Sequence, residues 1–363
     1  MRLGFVSDFY YPSIGGTQML CKGIAEWFRD QGHDIEVITS ADKNREDMNY
    51  PVHEIKGTNF INRPYNLEGY NDILSEQKYD ALFVLADLFS PSILSLDSEI
   101  VRKTILILNL DENVYRWIHE GKIKDLNERI EAIKKYSHIV SFCQGAPVNK
   151  FLDENDIKYH FIPNFSRDVI YGEKERKITK DKLGITKKII FNHGNYEIRK
   201  NQHTLMKAFL ESGLSSEYDL VLLGSPRTSD DKAYFNICLD LKIKYDKTNS
   251  IKMFKGTNNQ ALINQMLSIS DIYFLPSLAE GLPLVLLEAM SAGLPWISTP
   301  VGGVPKVLGS LSSGKVMKDI NFQVVDFLES IREVENKNSR KDWEKYFTIE
   351  RAGKQYAELL ELK

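Results

Sequence analysis

Cysteine is scarce: the 363 residues hold three, Cys21, Cys143 and Cys238, far apart and with no CxxC pair. That spacing proposes no zinc or dithiol site and leaves them as reduced core residues. Long apolar runs are lacking too. No stretch approaches the ~18 uninterrupted apolar residues of a membrane span, and ALFVLADLFSPSILSL (81–96) is broken by Asp87 and Pro91. The start, MRLGFVSDFYYPS, has no basic segment followed by an apolar core, so it reads as a strand and not as a secretory signal. A cytoplasmic protein is expected. Excess charge is also absent: 47 Lys and Arg against 50 Asp and Glu give a net charge of -3, which offers no electrostatic footprint for nucleic acid. Peripheral membrane association stays open on one feature, the basic residues of EGKIKDLNERIEAIKKYS (120–137), although interleaved Asp125, Glu128 and Glu131 favour a solvated helix face.

What is present is the make-up of a globular enzyme, 42% apolar and 27% charged, with length for two domains. RLGFVS (2–7), a helix carrying Met19, Leu20, Ile24, Trp27 and Phe28, and IEVIT (35–39) form a βαβ unit, which implies a parallel sheet. ALFVLA (81–86), TILILNL (104–110) and HIVSFC (138–143) continue the strands, and the polar segment 160–188 reads as a linker. A second series follows: KIIFNHG (188–194), YDLVLLG (218–224), IKMFKG (251–256), DIYFLPS (271–277) and PWISTP (295–300), with helical patterns between them. The expected class is α/β, with two doubly wound Rossmann-like domains at 1–165 and 166–345 and ligands outside the carboxyl ends of the strands.

Three loops could carry chemistry. DFYYPSIGGTQ closes with Gly15, Gly16 and Thr17 before the first helix, where backbone N–H groups can approach an anion, though a tight turn explains the glycines equally well. FNHGNYEIRKNQ places Gly194 after a strand and Arg199 and Lys200 before a helix, within reach of a phosphate unless they are solvated surface charges; His193 fits a structural role as well as a ligand contact. FLPSLAEGLPLVLLE puts Glu280 in a loop, opens the backbone at Gly281, and sets Pro283 where a first helical position is expected. Glu288 is the single charge between Gly281 and Pro305, within a helix apolar all round, and must meet a protein cation, a backbone donor or a ligand's hydroxyl groups. Donors at a helix start beside two carboxylates suit a sugar nucleotide: N–H groups and cations for the diphosphate, carboxylates for ribose and sugar hydroxyls.

Glu280 and Glu288 in EGLPLVLLE, with the flanking PS, EAM, GLP and VGGVP, resemble the paired-glutamate motif of retaining glycosyltransferases of the GT-B fold, family four (glycosyl transferases group 1). PSIGGTQ with GIAEWFRDQGHDIEVIT, IPN (162–164), the Gly194–Asn201 stretch and the C-terminal WEKYFTIERAGKQYAELLEL resemble further parts of the family, so the likeness spans nearly the whole chain. The resemblance implies that Glu288 accepts the nucleotide ribose hydroxyls, that Glu280 contacts the transferred sugar, and that Gly281, Leu282, Pro283 and Leu284 present backbone to sugar and phosphate. It implies that Lys200, helped by Arg199, binds the diphosphate, that Gly16 and Thr17 close on the same group, and that the helix at 346–363 packs back on the first domain.

Departures accompany the likeness. Asn195 stands where the family has arginine, Lys306 where an acidic residue is common, and the acceptor-side histidine is missing from ILNLDENVY, where Asn109, Asp111 and Glu112 lie. Asp111, after a strand, is either the acceptor-orienting group or a helix cap. The expected activity is transfer of a sugar from a nucleoside diphosphate sugar to a glycan, lipid-linked or small-molecule acceptor, as in cell-surface polysaccharide or glycoconjugate synthesis. No cofactor or metal is expected, SDDK (229–232) reading as a solvated loop. A sugar-nucleotide epimerase of the same fold and a non-catalytic sugar-nucleotide-binding protein are the rival readings.

Overall fold

Runs such as RLGFVS and ALFVLA are apolar at nearly every position, which suits strands covered on both faces by helices. The computed structural model describes all residues except 13–14, 46, 56–66, 87–100, 109–116, 122–124, 170–172, 183–184, 256–259 and 362–363. The chain forms two units, Met1–Phe165 with Ile349–Lys363, and Ser166–Thr348.

In the first unit, β1 (Arg2–Ser7), α1 (Gly16–Asp30), β2 (Asp34–Ser40), β3 (Val52–Ile55), α2 (Leu67–Glu76), β4 (Ala81–Ala86), β5 (Thr104–Leu108), α3 (Leu126–Ile133), β6 (His138–Ser141), α4 (Pro147–Glu154) and β7 (His160–Phe161) build a parallel sheet of order β3-β2-β1-β4-β5-β6-β7. Phe5 and Phe83 stack at 4.8 Å between neighbouring strands, and Phe28 of α1 tilts onto Phe83 at 5.2 Å.

The second unit runs α5 (Glu173–Lys182), β8 (Lys188–His193), α6 (Gln202–Glu211), β9 (Tyr218–Gly224), α7 (Ser229–Tyr245), β10 (Ile251–Lys255), α8 (Gln260–Ile269), β11 (Ile272–Leu275), α9 (Leu284–Ser291), β12 (Trp296–Ser298), α10 (Val304–Val307), β13 (Gly314–Val316), α11 (Val324–Val334) and α12 (Arg340–Tyr346). Its parallel sheet has the order β10-β9-β8-β11-β12-β13. Ile190, Leu220, Phe274 and Ile297 of its strands share one core with Phe209 of α6 and Phe327 of α11.

α13 (Ile349–Leu359) belongs to the first unit. Gly353 lets it lie on α1, since a Cβ there would fall 2.2 Å from the Trp27 indole, and Tyr356 meets Phe83 edge-on at 5.9 Å.

Several segments differ from the sequence reading. The polar stretch 160–188 is no bare linker: it starts with β7 and carries α5, whose Arg176 and Lys180 bind the Asp271 carboxylate at 2.5 and 2.9 Å. Asp271 also accepts from Ile189 N at 2.8 Å, so charges that look solvated pin α5 to the start of β8. SDDK is no loop. It is the first turn of α7, where Thr228 Oγ1 accepts from Asp231 N at 3.1 Å and Asp231 accepts from Thr228 N at 3.0 Å, a reciprocal cap. The helical reading 346–363 is broken at Phe347–Thr348 into α12 and α13. Ile130 and Ile133 of α3 are buried. The three cysteines are free and buried, and among the described residues no helix is long and apolar enough to cross a membrane.

Candidate functional site

β8 is the first strand of the second sheet and lies beside β11, where the strand order reverses. In open parallel sheets that reversal opens a crevice at the carboxyl ends of the two strands. The loops leaving β8, β11 and β12 are stitched together there. Leu278 N donates to Arg199 O at 2.8 Å, and Asn201, in the left-handed region at φ 53, sends Nδ2 to Pro276 O at 3.1 Å. From the third loop, Gly303 N donates to Gly281 O at 2.8 Å.

Gly302 makes that last approach sterically tolerable. It has φ +52, and a Cβ would lie 2.1 Å from Gly281 O and 2.2 Å from Glu280 O. Gly302→Ala should therefore cost about 1–3 kcal/mol of stability through backbone strain and disturb the Glu280 loop, read out as a lower Tm together with lost activity. An unchanged Tm would show that the loop is not braced in this way.

Glu280 is buried, and three donors converge on it. Lys200 Nζ is 2.6 Å from Oε1, Ser277 Oγ donates to the same oxygen at 2.8 Å, and Arg199 Nη1 donates to Oε2 at 3.2 Å. Burial opposes its ionisation, but the charges of Lys200 and Arg199, with the hydrogen bonds, outweigh it and hold the carboxyl below its ordinary pKa. Arg199 is further tied to Ala279 O at 2.9 Å and Glu197 at 2.8 Å. Lys200 also passes over Gly194, whose Cβ would sit 3.6 Å from the lysine chain.

Pro283 stands at the N-cap, with φ -70 and ψ 118, and α9 starts at Leu284, one position later than the sequence reading placed it. The proline supplies no side-chain cap, and the N–H groups of Leu284 and Val285, in the first turn, have no helix carbonyl to bind. The loop at Glu280–Leu282 leads directly into this turn.

Glu288 lies on the second turn of α9 and meets one protein cation, Arg167, and the His193 ring. Its Oε1 is 3.2 Å from Arg167 Nη2 and its Oε2 3.4 Å from His193 Nε2. His193, buried, stacks on Phe191 at 5.5 Å and meets Tyr273 edge-on at 5.7 Å. Arg167 escapes a reading of the sequence: it sits in the segment that looks like a linker, and no spacing relates it to Glu288. Its only sequence signal is the unpaired charge of Glu288 itself, which asks for a cation without saying where in the chain it comes from.

The second unit thus brings together Gly194, Arg199, Lys200, Glu280, Gly281, Leu282, Pro283 and Leu284, with Glu288 joined through His193. Gly15, Gly16 and Thr17 are in the first unit, where Gly15 is the extended N-cap of α1 and accepts from Met19 N at 3.0 Å. Asp111, with Asn109 and Glu112, lies outside the described residues.

Residues 173–348 match the family described as Glycosyl transferases group 1. The chain is 25% identical over 311 residues to the N-acetyl-alpha-D-glucosaminyl L-malate synthase of Bacillus anthracis, covering 82% of this chain and 79% of that one. It is 24% identical over 331 residues to the gpi3 subunit of the phosphatidylinositol N-acetylglucosaminyltransferase of Schizosaccharomyces pombe, covering 84% and 67%. Among solved structures, the Anabaena HepE protein in complex with UDP superimposes with a TM-score of 0.76 at 17% identity, over 99% of this chain and all of that one (100%). A sucrose-phosphate synthase from Thermosynechococcus elongatus gives 0.78 at 16% identity, over 99% and 98%. These structural likenesses establish the GT-B fold.

Proposed function

The chain belongs, through residues 173–348, to the glycosyl transferases group 1 family, and from that premise we propose that it is a retaining glycosyltransferase. It moves a sugar from a nucleoside diphosphate sugar to a glycan, lipid-linked or small-molecule acceptor. The observation that carries this reading is the meeting of Lys200, Arg199 and Glu280 beside the uncapped start of α9.

As the glycosidic bond of such a donor breaks, negative charge grows on the departing diphosphate, and fixed donors aimed at it lower the barrier. Among the described residues the Lys200 ammonium uses one N–H on Glu280, which leaves two of its three donors for phosphate oxygens. The N–H groups of Leu284 and Val285 add the positive end of a helix dipole. Glu280, held ionised by its cations, orients a sugar hydroxyl with the lone pairs they leave, while Glu288 accepts from ribose. Asp111 orients the incoming acceptor hydroxyl. The acceptor hydroxyl attacks from the face the diphosphate leaves and passes its proton to the departing phosphate oxygen, so the product keeps the donor's anomeric configuration and no protein nucleophile is needed.

A thermal-shift panel of UDP-, GDP-, ADP- and TDP-sugars in excess EDTA should yield at least one stabilising donor, and transfer from it should proceed in EDTA. The relatives' names make an N-acetylglucosaminyl donor with L-malate or phosphatidylinositol the first pairing to try, and the UDP bound by the HepE protein makes uridine the first base. Proton NMR of the first-formed product should show retention. An inverted anomer would overturn the mechanism, transfer restored only by manganese would overturn the metal-free chemistry, and no shift with any donor would overturn the whole reading.

A further inference from the structure

Glu288 is an acid flanked on both oxygens, yet none of the flanking donors completes a hydrogen bond. Arg167 Nη2 stands within ion-pair distance of Oε1, but it and the Arg167 Nε are buried and, among the described residues, donate to nothing. His193 approaches Oε2 through Nε2, and its buried Nδ1 is likewise unpartnered. Burial pulls the Arg167 guanidinium below its ordinary pKa, and the Glu288 charge opposes that pull. A desolvated cation beside a carboxylate is a poor way to fill space, since well-packed apolar side chains of the same volume are often as stable or more so.

The backbone that carries Arg167 is anchored on every side. Trp343 Nε1 donates to Ser166 Oγ at 2.8 Å and Ser166 N to Phe347 O at 3.2 Å. Arg340 Nη2 binds Asp168 at 2.9 Å, and Val169 N donates to Ser291 Oγ, at the end of α9, at 3.3 Å. Arg167 therefore reaches Glu288 from a fixed origin. A glutamate carboxylate otherwise turns broadly about its last torsion. With the Arg167 guanidinium beside one oxygen and the His193 ring beside the other the plane is set, and each oxygen keeps lone-pair room on its other side. Two acceptor directions held at a fixed separation match two adjacent hydroxyl groups.

We infer that Arg167 and His193 are positioning residues that fix the Glu288 carboxylate so that it accepts from both hydroxyls of a vicinal diol, which makes the site selective for ribonucleoside over 2′-deoxyribonucleoside diphosphates. The inference rests on the reading that Glu288 meets the donor's ribose.

Calorimetric titration of the whole chain with UDP and 2′-deoxy-UDP, and with the matching adenine and guanine pairs, tests it. The wild-type protein should prefer the ribonucleotide by about tenfold to hundredfold, the size of one hydrogen bond to a charged group. Arg167→Met should bring the two affinities to within about threefold, because a carboxylate free to turn no longer rewards the second hydroxyl in full. Arg167→Lys, which restores a point charge without the planar fork, should fall between them. Should the methionine variant not fold, Arg167→Gln carries the same comparison. A purely structural role for Arg167 would weaken both nucleotides equally. Full discrimination retained in a folded Met or Gln variant, or none in the wild type, overturns the inference and leaves the transferase reading standing. Failure of all three ribonucleoside diphosphates to bind overturns both.

Discussion

Lys200→Ala is expected to lower kcat for sugar transfer by roughly 10²-fold or more at saturating donor, the effect of deleting one fixed donor from a site where charge develops. Two consequences of the structure sharpen the experiment. Glu280 keeps Arg199 and Ser277 when Lys200 is gone, so the carboxylate is not stranded and the chain should fold. One charge-assisted hydrogen bond is nonetheless lost, worth about 1.5–3 kcal/mol, and Tm should drop by several degrees. The kinetic role is separated from the structural one by comparing UDP with uridine: only a lysine that touches phosphate oxygens should weaken UDP and leave uridine unchanged. The family resemblance implies an arginine where this chain has Asn195, so Asn195→Arg in the Lys200→Ala background should recover part of the lost rate. A folded Lys200→Ala protein with normal kcat would shift the phosphate role to Arg199.

Much of this architecture is legible in the sequence because a doubly covered parallel strand has few polar positions, near its ends, to obscure it. RLGFVS, ALFVLA and YDLVLLG coincide with β1, β4 and β9 residue for residue. VHEI, HF and GKV were not legible: they are two to four residues long, and β13 has room to pair only because Gly314 yields to the Trp296 ring, 2.0 Å from where a Cβ would be. Such a fit is tertiary and leaves no local pattern. α5 and α7 were missed for another reason. EKERKITKDK is polar nearly throughout, and its helix is held by Arg176 and Lys180 on Asp271, about ninety residues onward, where no periodicity can register them. SDDK likewise becomes a helix start through its Thr228 cap, a local bond that composition alone reads as solvated charge. At the site, the sequence shows which residues gather at the ends of β8 and β11, since each follows its strand directly. It does not show who pairs with whom. Glu280 and Lys200 are neighbours because β8 and β11 are adjacent, and Glu288 has its cation from Arg167, at the far start of the second unit.

Glu280→Gln should separate the two tasks that a buried carboxylate between cations can perform. The substitution keeps shape and removes charge, leaving Lys200 and Arg199 without their shared counter-ion. Breaking a buried pair in this way costs about 3–5 kcal/mol, and here the lower end applies, because Arg199 is 30% exposed in its side chain and retains Glu197. The loss should depend on pH with a definite sign. Glu280 titrates lower in the folded protein than in the unfolded chain, where a glutamate has a pKa of about 4.3, so its stabilisation is full above that value and fades as pH falls through the folded one. The Tm difference between wild type and Glu280→Gln should accordingly be largest near neutral pH and shrink in acid. For function, the variant releases Lys200 from its bond at 2.6 Å. If Glu280 orients the transferred sugar, UDP, which has no sugar, should bind as tightly as before or more tightly, while kcat/KM for the whole donor falls by roughly 10²-fold, since interactions made only in the transition state are lost from turnover and not from nucleotide binding. If instead UDP affinity and turnover fall together in a protein that melts normally at the assay temperature, Glu280 does no more than hold Lys200 in place, and orientation of the sugar must be sought elsewhere along the Gly281–Leu284 backbone.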